Sequence, residues 1–361
     1  MKTHSKSLFR ILVINPGSTS TKVAVFENKH CVFNEYITHS EEALSHFKKI
    51  SDQKTFRYRI VENILNEKQI GLDSIHAVVG RGGLLRPVEG GTYTISPSML
   101  EDLSSEKYGS HPCNLGGLIA HEFGINADIP SFIVDPVVVD EMEPISRITG
   151  MPEIERKSIF HALNQKAVAR DVASEIGKEY QDVNFIVAHM GGGISVGVHQ
   201  SGRVVDVNNA LDGEGPMAPE RAGSLPAGQL VDLCCSKKYS QSEMHKKLVG
   251  EAGLVAHAGT NDMRQLLEMM RLGDRKAELL FRAMAFQISK SISALASVVK
   301  GKVDGIILTG GLANNEELTD RIRSRVEWIA PVHLRPGEME MEALACGALR
   351  ILLNEEQSKI Y

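Results

Sequence analysis

The chain has 361 residues, 42% of them hydrophobic and 24% charged, with a formal net charge of -5. That length exceeds one ordinary hydrophobic core, so two domains are expected. The mild acidity gives no support to a nucleic-acid or anionic-membrane partner, so any bound phosphate must be held by local groups.

The chain begins with Lys2, Lys6 and Arg10 ahead of the apolar run Ile11–Ile14. Four apolar residues are too few for a signal-peptide core, and no segment approaches the ~20 needed to span a bilayer. The five cysteines are odd in number and lack C-x-x-C spacing. A disulfide framework or cysteine zinc site is therefore not expected, and a reducing cytoplasm fits. The adjacent Cys234 and Cys235 read most simply as two buried small residues.

From Ile11 to Phe26 the pattern is strand, polar turn, strand, with Asn15-Pro-Gly-Ser-Thr-Ser-Thr-Lys22 at the tip. Such a tip exposes backbone N–H groups, to which Ser18, Ser20 and Lys22 add donors for a phosphate; a plain polar β-turn has the same composition. Glu153 to Gly177 reads as an amphipathic helix. A second strand–turn–strand spans Phe185 to Val198, with His189-Met-Gly-Gly-Gly-Ile-Ser195 at its turn, and continues through Ser201-Gly202 into Val204–Val207. Three consecutive glycines permit close backbone approach to a ligand. The run is neither G-x-x-x-x-G-K-[ST] nor G-x-G-x-x-G, and it leads into a strand, where a dinucleotide fold would open a helix. Asn15 and His189 lie 174 residues apart (189 minus 15), about half the chain. Two halves of one topology are expected. Glu278 to Lys300 reads as another helix, Gly305 to Leu308 as a buried strand entering the turn Thr309–Asn315, and Glu316 to Trp328 as the helix after it. Glu340 to Leu353 reads as a final helix able to pack back on the first half. The expected architecture is α/β with mixed sheets.

Together these segments resemble the actin/Hsp70/sugar-kinase superfamily, and within it the acetate/propionate/butyrate kinase family, on the butyrate side most closely. The carrying motifs are Asn15 to Lys22, Gly80-Arg81-Gly82-Gly83, Gly109-Ser-His-Pro-Cys-Asn114, Val134-Asp135-Pro136, Phe160-His161, His189 to Gly193, Pro219-Glu-Arg-Ala-Gly-Ser224, Asn261-Asp-Met-Arg264, Gly310 to Asn315, and Pro336-Gly-Glu-Met-Glu340. The resemblance implies two ribonuclease-H-like, actin-like ATPase domains with a nucleotide cleft between them. The first would comprise residues 1–140 with a returning helix in 340–361, the second, nucleotide-binding one residues 141–339. It further implies ATP/ADP and Mg2+ as cofactors, a short-chain carboxylic acid and its acyl phosphate as partners, and a homodimer or higher homo-oligomer.

A carboxylate is already ionised at neutral pH and needs no general base. Its difficulty is that an anion must approach an anionic γ-phosphate, so catalysis should rest on cations and positioning. By resemblance, Arg81 binds the substrate carboxylate and Arg221 stabilises the transferring phosphoryl. Asp135 belongs at the reaction centre, His161 stabilises the transition state, His189 contacts phosphate, and His111 lines the cleft. The sequence departs from acetate kinases after His161, where Ala162-Leu163-Asn164 replaces the usual Gly-Thr-Ser. Asn15 and Glu340, the latter flanked by Glu338 and Glu342, would hold Mg2+. The nucleotide would lie on Ser18, Ser20, Lys22, His189, Gly191, Gly192 and Gly193, with Asp262, Met263, Arg264, Gly310, Gly311 and Asn315 around the adenosine.

A sugar or glycerol kinase would need a carboxylate base for its hydroxyl acceptor, whereas paired arginines suit an anionic one. A nucleotide switch would use the same fold, but no peptide-binding or polymer-forming insert is evident; a sugar-responsive repressor would add a DNA-binding module and a cysteine-rich zinc motif. By resemblance, the compact length and Gly80–Pro87, which replaces a more histidine-rich acetate-kinase segment, imply butyrate or a branched acid as the substrate. A hydrophobic pocket discriminates one methylene by only ~1–3 kcal/mol.

Overall fold

The computed structural model describes residues 8–361, so Lys2 and Lys6 lie outside the described residues. Twelve strands form two sheets among these residues: β1 (Arg10–Pro16), β2 (Ser20–Glu27), β3 (His30–Thr38), β4 (Ala77–Arg81), β5 (Thr92–Thr94), β6 (Ser131–Val134), β7 (Asn184–Met190), β8 (Ile194–Gln200), β9 (Arg203–Val207), β10 (Gly305–Gly310), β11 (Val332–Pro336) and β12 (Lys359–Ile360). The chain divides into two units, Met1–Val139 with Met339–Tyr361, and Asp140–Glu338.

The first unit holds a seven-stranded sheet in the order β12-β5-β6-β4-β1-β2-β3. β1, β2 and β3 form an antiparallel meander, and β4 joins β1 in parallel. Ile11, Leu12, Val13 and Ile14 are all fully buried. An unbroken apolar run suits a central strand covered on both faces, whereas β3 alternates exposed and half-buried residues as the edge. The helix Asn114–Ala127 presses on β4 closely enough that a Cβ on Gly80 would collide with the backbone of Gly116. That approach fixes the end of β4, where Arg81 sits. Helix Glu340–Leu352 packs against β1, β4 and β6.

The second unit repeats the scheme with five strands, β11-β10-β7-β8-β9. Again three strands form an antiparallel meander and the next, β10, lies parallel to the first. Helix Ala162–Glu175 packs on β7 and β10, and helix Arg275–Leu295 on β7 and β8. Ile186, Ala188, Val196, Phe281, Met284, Ile288 and Leu308 meet in this unit's core.

Two expectations are corrected. The segment from Glu153 is not helical until Ala162. Arg156 instead reaches the carbonyls of Ser146 and Val207 and the carboxylate of Asp206 at 2.8 to 3.0 Å, and Ile148 bridges Glu155 as an isolated β-pair. A helix there would give up those bonds for its own ladder. Cys234 and Cys235 are exposed, not buried, on a helix (Ala227–Cys235) that buries none of its residues. Apolar character permits burial but does not impose it. Smaller shifts concern helix ends: the helices run Arg275–Leu295, Glu316–Val326 and Glu340–Leu352.

Cys113, by contrast, is buried, and burial pushes its thiol pKa up to about 11. Since the thiolate is the reactive form, brief iodoacetamide treatment of the native protein followed by peptide mapping should modify Cys234 and Cys235 and spare Cys113. Equal labelling of Cys113 and Cys234 would contradict this arrangement.

Candidate active site

Turn residues that are to face a ligand must be supported from the other side, and Arg57 supports the first hairpin. This guanidinium is fully buried. It donates through Nη1 to the carbonyls of Gly17 (2.8 Å) and Ser20 (2.6 Å) and to Thr21 Oγ1 (3.2 Å), and through Nη2 to the carbonyl of Ser18 (3.2 Å). Gln53 Oε1 accepts from its Nε and Nη2 at 3.1 and 2.8 Å. Burial lowers its pKa to about 10. With its carbonyls drawn back onto Arg57, the turn between β1 and β2 is pinned. Ser18 lies in that turn, Ser20 is buried at the start of β2, and half-buried Lys22 pairs in register with Asn15.

Asn15, Arg81 and Glu340 come together in the same unit. Arg81 Nη1 lies 2.5 Å from Glu340 Oε1, while Asn15 Nδ2 donates to Glu340 Oε2 at 2.8 Å. Glu340 is buried and opens the helix Glu340–Leu352. A carboxylate in the first helical turn is favoured by the helix dipole. His111 bonds to Cys113 Sγ at 2.8 Å through Nδ1, and burial together with the field of Arg81 holds its pKa below the usual histidine range. Asp135 follows β6 with a left-handed φ of 37° and is buried; its Oδ1 accepts the Gly91 N–H at 2.7 Å.

In the second unit the glycine turn joins β7 to β8. His189 ends β7 and stacks on His161, ring centroids 3.8 Å apart and planes 9° apart. Two imidazolium charges at that separation would repel by about 4 kcal/mol at an effective dielectric near 20. Arg221 lies against Gly193 so closely that a Cβ there would collide with the guanidinium. Its Nη1 donates to the carbonyl of Ala210 at 2.6 Å, and its buried Nε has no hydrogen-bond partner. Burial lowers the pKa of Arg221, partly offset by Glu220. A buried N–H without a partner is costly, so the site suits an anion at the turn. Gly310, at φ 86°, packs where a Cβ would strike the backbone of Met190.

The remaining predicted nucleotide residues are deployed differently. Asp262 caps helix Met263–Arg271 by accepting from Arg264 N, and its carboxylate pairs with the Arg264 guanidinium at 2.8 Å. Met263 points into the core. Asn315 caps helix Glu316–Val326 by accepting from Leu318 N at 2.8 Å, and Gly311 faces open space. Arg57, Asn164, Gln165 and Ser195 were not read from sequence as site residues. The polar positions 164 and 165, one turn into a helix, carried the only signal for two of them.

The two sheets and their strand order define an actin-like ATPase fold of the kinase kind, seen also in solved structures. A Porphyromonas gingivalis acetate kinase superposes with a TM-score of 0.77 at 18% identity, over 96% of this chain and 100% of its own. A Francisella tularensis propionate kinase gives 0.71 at 20% identity, over 94% and 98%, and an Entamoeba histolytica acetate kinase 0.71 at 17%, over the same shares. At such identities these establish the fold alone. Residues 153–335 match the acetokinase family. The chain belongs to that family, phosphotransferases whose acceptor is a carboxylate. The matched range includes His161, the glycine turn and Arg221; Asn15, Arg81, His111, Asp135 and Glu340 lie outside it.

Arg57→Met should leave the carbonyls of Gly17, Ser18 and Ser20 without their donor and destabilise the protein by about 3 kcal/mol. Thermal unfolding should then drop by roughly 5–10 °C, and an unchanged melting temperature would show that Arg57 does not hold the turn.

Proposed function

We propose that the protein transfers the γ-phosphoryl of ATP reversibly and directly, in line, to a short-chain fatty acid, butyrate or a branched acid, giving an acyl phosphate and ADP. The observation that carries the proposal is Arg221, a half-buried guanidinium set against Gly193 with a buried, unpartnered Nε. It is a fixed cation where a phosphoryl group could meet glycine backbone.

In this reading Arg81 binds the acid. Glu340 engages its Nη1, which leaves Nη2 and Nε for the two oxygens of a substrate carboxylate. Half-buried Leu84, just beyond Gly82-Gly83, offers apolar surface for a chain longer than acetate. Asp135 fixes the segment around Gly91, His111 adds a neutral imidazole beside Arg81, and His161 and His189 present stacked rings near the glycine turn. Ser18, Ser20, Lys22, Gly191, Gly192, Gly193, Gly310 and Gly311 contact the nucleotide, as do the backbones around Asp262, Met263, Arg264 and Asn315.

Asn15 and Glu340 offer oxygen atoms, and no group of three or more His, Cys, Asp or Glu side chains among the described residues is arranged to hold a metal. Few protein ligands, with water and phosphate completing the shell, fit Mg2+, which would supply charge neutralisation to the phosphates. No described helix is long and apolar enough to cross a membrane. A cytoplasmic homo-oligomer is part of the proposal.

A hydroxamate assay that traps acyl phosphate, run with ATP and Mg2+ across formate to hexanoate, isobutyrate, isovalerate and glycerol, tests the proposal. Signal should peak at four or five carbons. It should fall by ~10³-fold in Arg221→Ala and rise steeply in acid KM in Arg81→Ala. Silence with every acid despite ATP binding would overturn it.

A further inference from the structure

The second unit contains a chain of side-chain hydrogen bonds that ends on His161. Tyr180 Oη lies 2.7 Å from His199 Nδ1, and His199 Nε2 lies 3.1 Å from Gln165 Oε1. Gln165 Nε2 donates to the backbone carbonyl of Ser195 at 3.1 Å and to Ser195 Oγ at 2.8 Å, and Ser195 Oγ lies 2.9 Å from His161 Nδ1. Gln165, Ser195 and His199 are fully buried. Gly197 leaves room for the amide, since a Cβ there would sit 2.9 Å from Gln165 Oε1.

One backbone atom orients the Gln165, His199 and Tyr180 part of the chain. A carbonyl oxygen can only accept, so the amide group beside Ser195 must be the NH2 and Oε1 must face His199. His199 therefore carries its proton on Nε2, and its Nδ1 accepts from the Tyr180 hydroxyl. Burial, with Lys166 and Arg170 nearby, keeps His199 neutral. At the other end Ser195 Oγ accepts from Gln165, and its own hydroxyl proton is available to turn to His161 Nδ1. The neighbouring ring is set the opposite way: His189 Nδ1 lies 2.8 Å from Asn164 Oδ1, which also accepts from Thr309 Oγ1 at 3.1 Å.

We propose that Ser195 and Gln165 are positioning residues that hold His161 as the neutral tautomer protonated at Nε2, so that it donates a hydrogen bond to the transferring phosphoryl without carrying a charge. Asn164 holds the stacked His189 as the Nδ1–H form. The stacked pair thus presents two rings protonated on different nitrogens, His161 on Nε2 and His189 on Nδ1. The role toward phosphoryl rests on the kinase reading above; the tautomers do not.

Ring 15N NMR of the uniformly labelled full-length protein, with His161 assigned by comparison with His161→Gln, reads the tautomer directly. His161 should show a pyridine-type Nδ1 and a pyrrole-type Nε2. In Ser195→Ala the two nitrogens should move toward averaged shifts, and kcat should fall about tenfold, the loss of one hydrogen bond, with the ATP KM unchanged. Ser195→Thr, which keeps the hydroxyl, should restore both. A pyrrole-type Nδ1 in the unsubstituted protein overturns the proposal, even if the protein is an active kinase and even if the variants fail to fold. The expected tautomer in a protein that phosphorylates no acid would instead sink the kinase reading and leave the hydrogen-bond assignment standing.

Discussion

A hairpin turn that is to lend its backbone to an anion can keep few hydrogen bonds of its own, and it must be held from behind by groups that do not block its face. Both hairpins of this chain meet that constraint, by different means. Behind the first turn, the guanidinium of Arg57 gathers three backbone carbonyls and a threonine hydroxyl. It has no carboxylate partner in that set; its charge is spread over carbonyl dipoles and Gln53. At the second turn the supports are Arg221 against Gly193 and the imidazole of His189, itself fixed by Asn164. Backbone bonds add to these supports, Gly17 N–H donating to the Ser20 carbonyl at 2.8 Å and Gly191 N–H to the Gly193 carbonyl at 3.0 Å.

Much of this was legible in the sequence. Unbroken apolar runs at Ile11–Ile14, Phe185–Ala188 and Ile306–Leu308 marked central strands, because a strand covered on both faces has no polar side to alternate. The two polar turns half a chain apart pointed to a repeated topology, and the two sheets share the order in which a meander is followed by a parallel strand. What the sequence concealed was long-range and polar. Arg57 lies in an ordinary-looking amphipathic helix, and nothing local distinguishes it from a solvated arginine. The partnership of Asn15 with Glu340 spans 325 residues. The extended path of 153–161 is dictated by what Arg156 reaches, and hydrophobic periodicity carries no information on that.

The departure after His161 has a physical reading in the same terms. Where acetate kinases carry Gly-Thr-Ser, this chain has Ala162, Leu163 and Asn164. Asn164 is buried with its Oδ1 accepting from His189 and Thr309, while its Nδ2 has no partner. The Asn164 amide spans His189 and Thr309 at the cost of an orphaned NH2 group, and in the proposed arrangement it sets which nitrogen of His189 is protonated.

Charge is divided between the two arginines in a way that matches their proposed ligands. Arg81 already pairs with Glu340 at 2.5 Å, so much of its field is spent before a substrate arrives. A monoanionic carboxylate, bound by geometry and weakly by charge, suits a guanidinium in that condition. Among the described residues Arg221 has only the Ala210 carbonyl as a hydrogen-bond acceptor, with Glu220 acting through space. It sits in a drier place, where the same charge acts more strongly. A phosphoryl group, which gathers negative charge on its equatorial oxygens during transfer, needs the stronger field. In the proposed reading, then, the neutralising Glu340 belongs with Arg81 and the drier surroundings with Arg221.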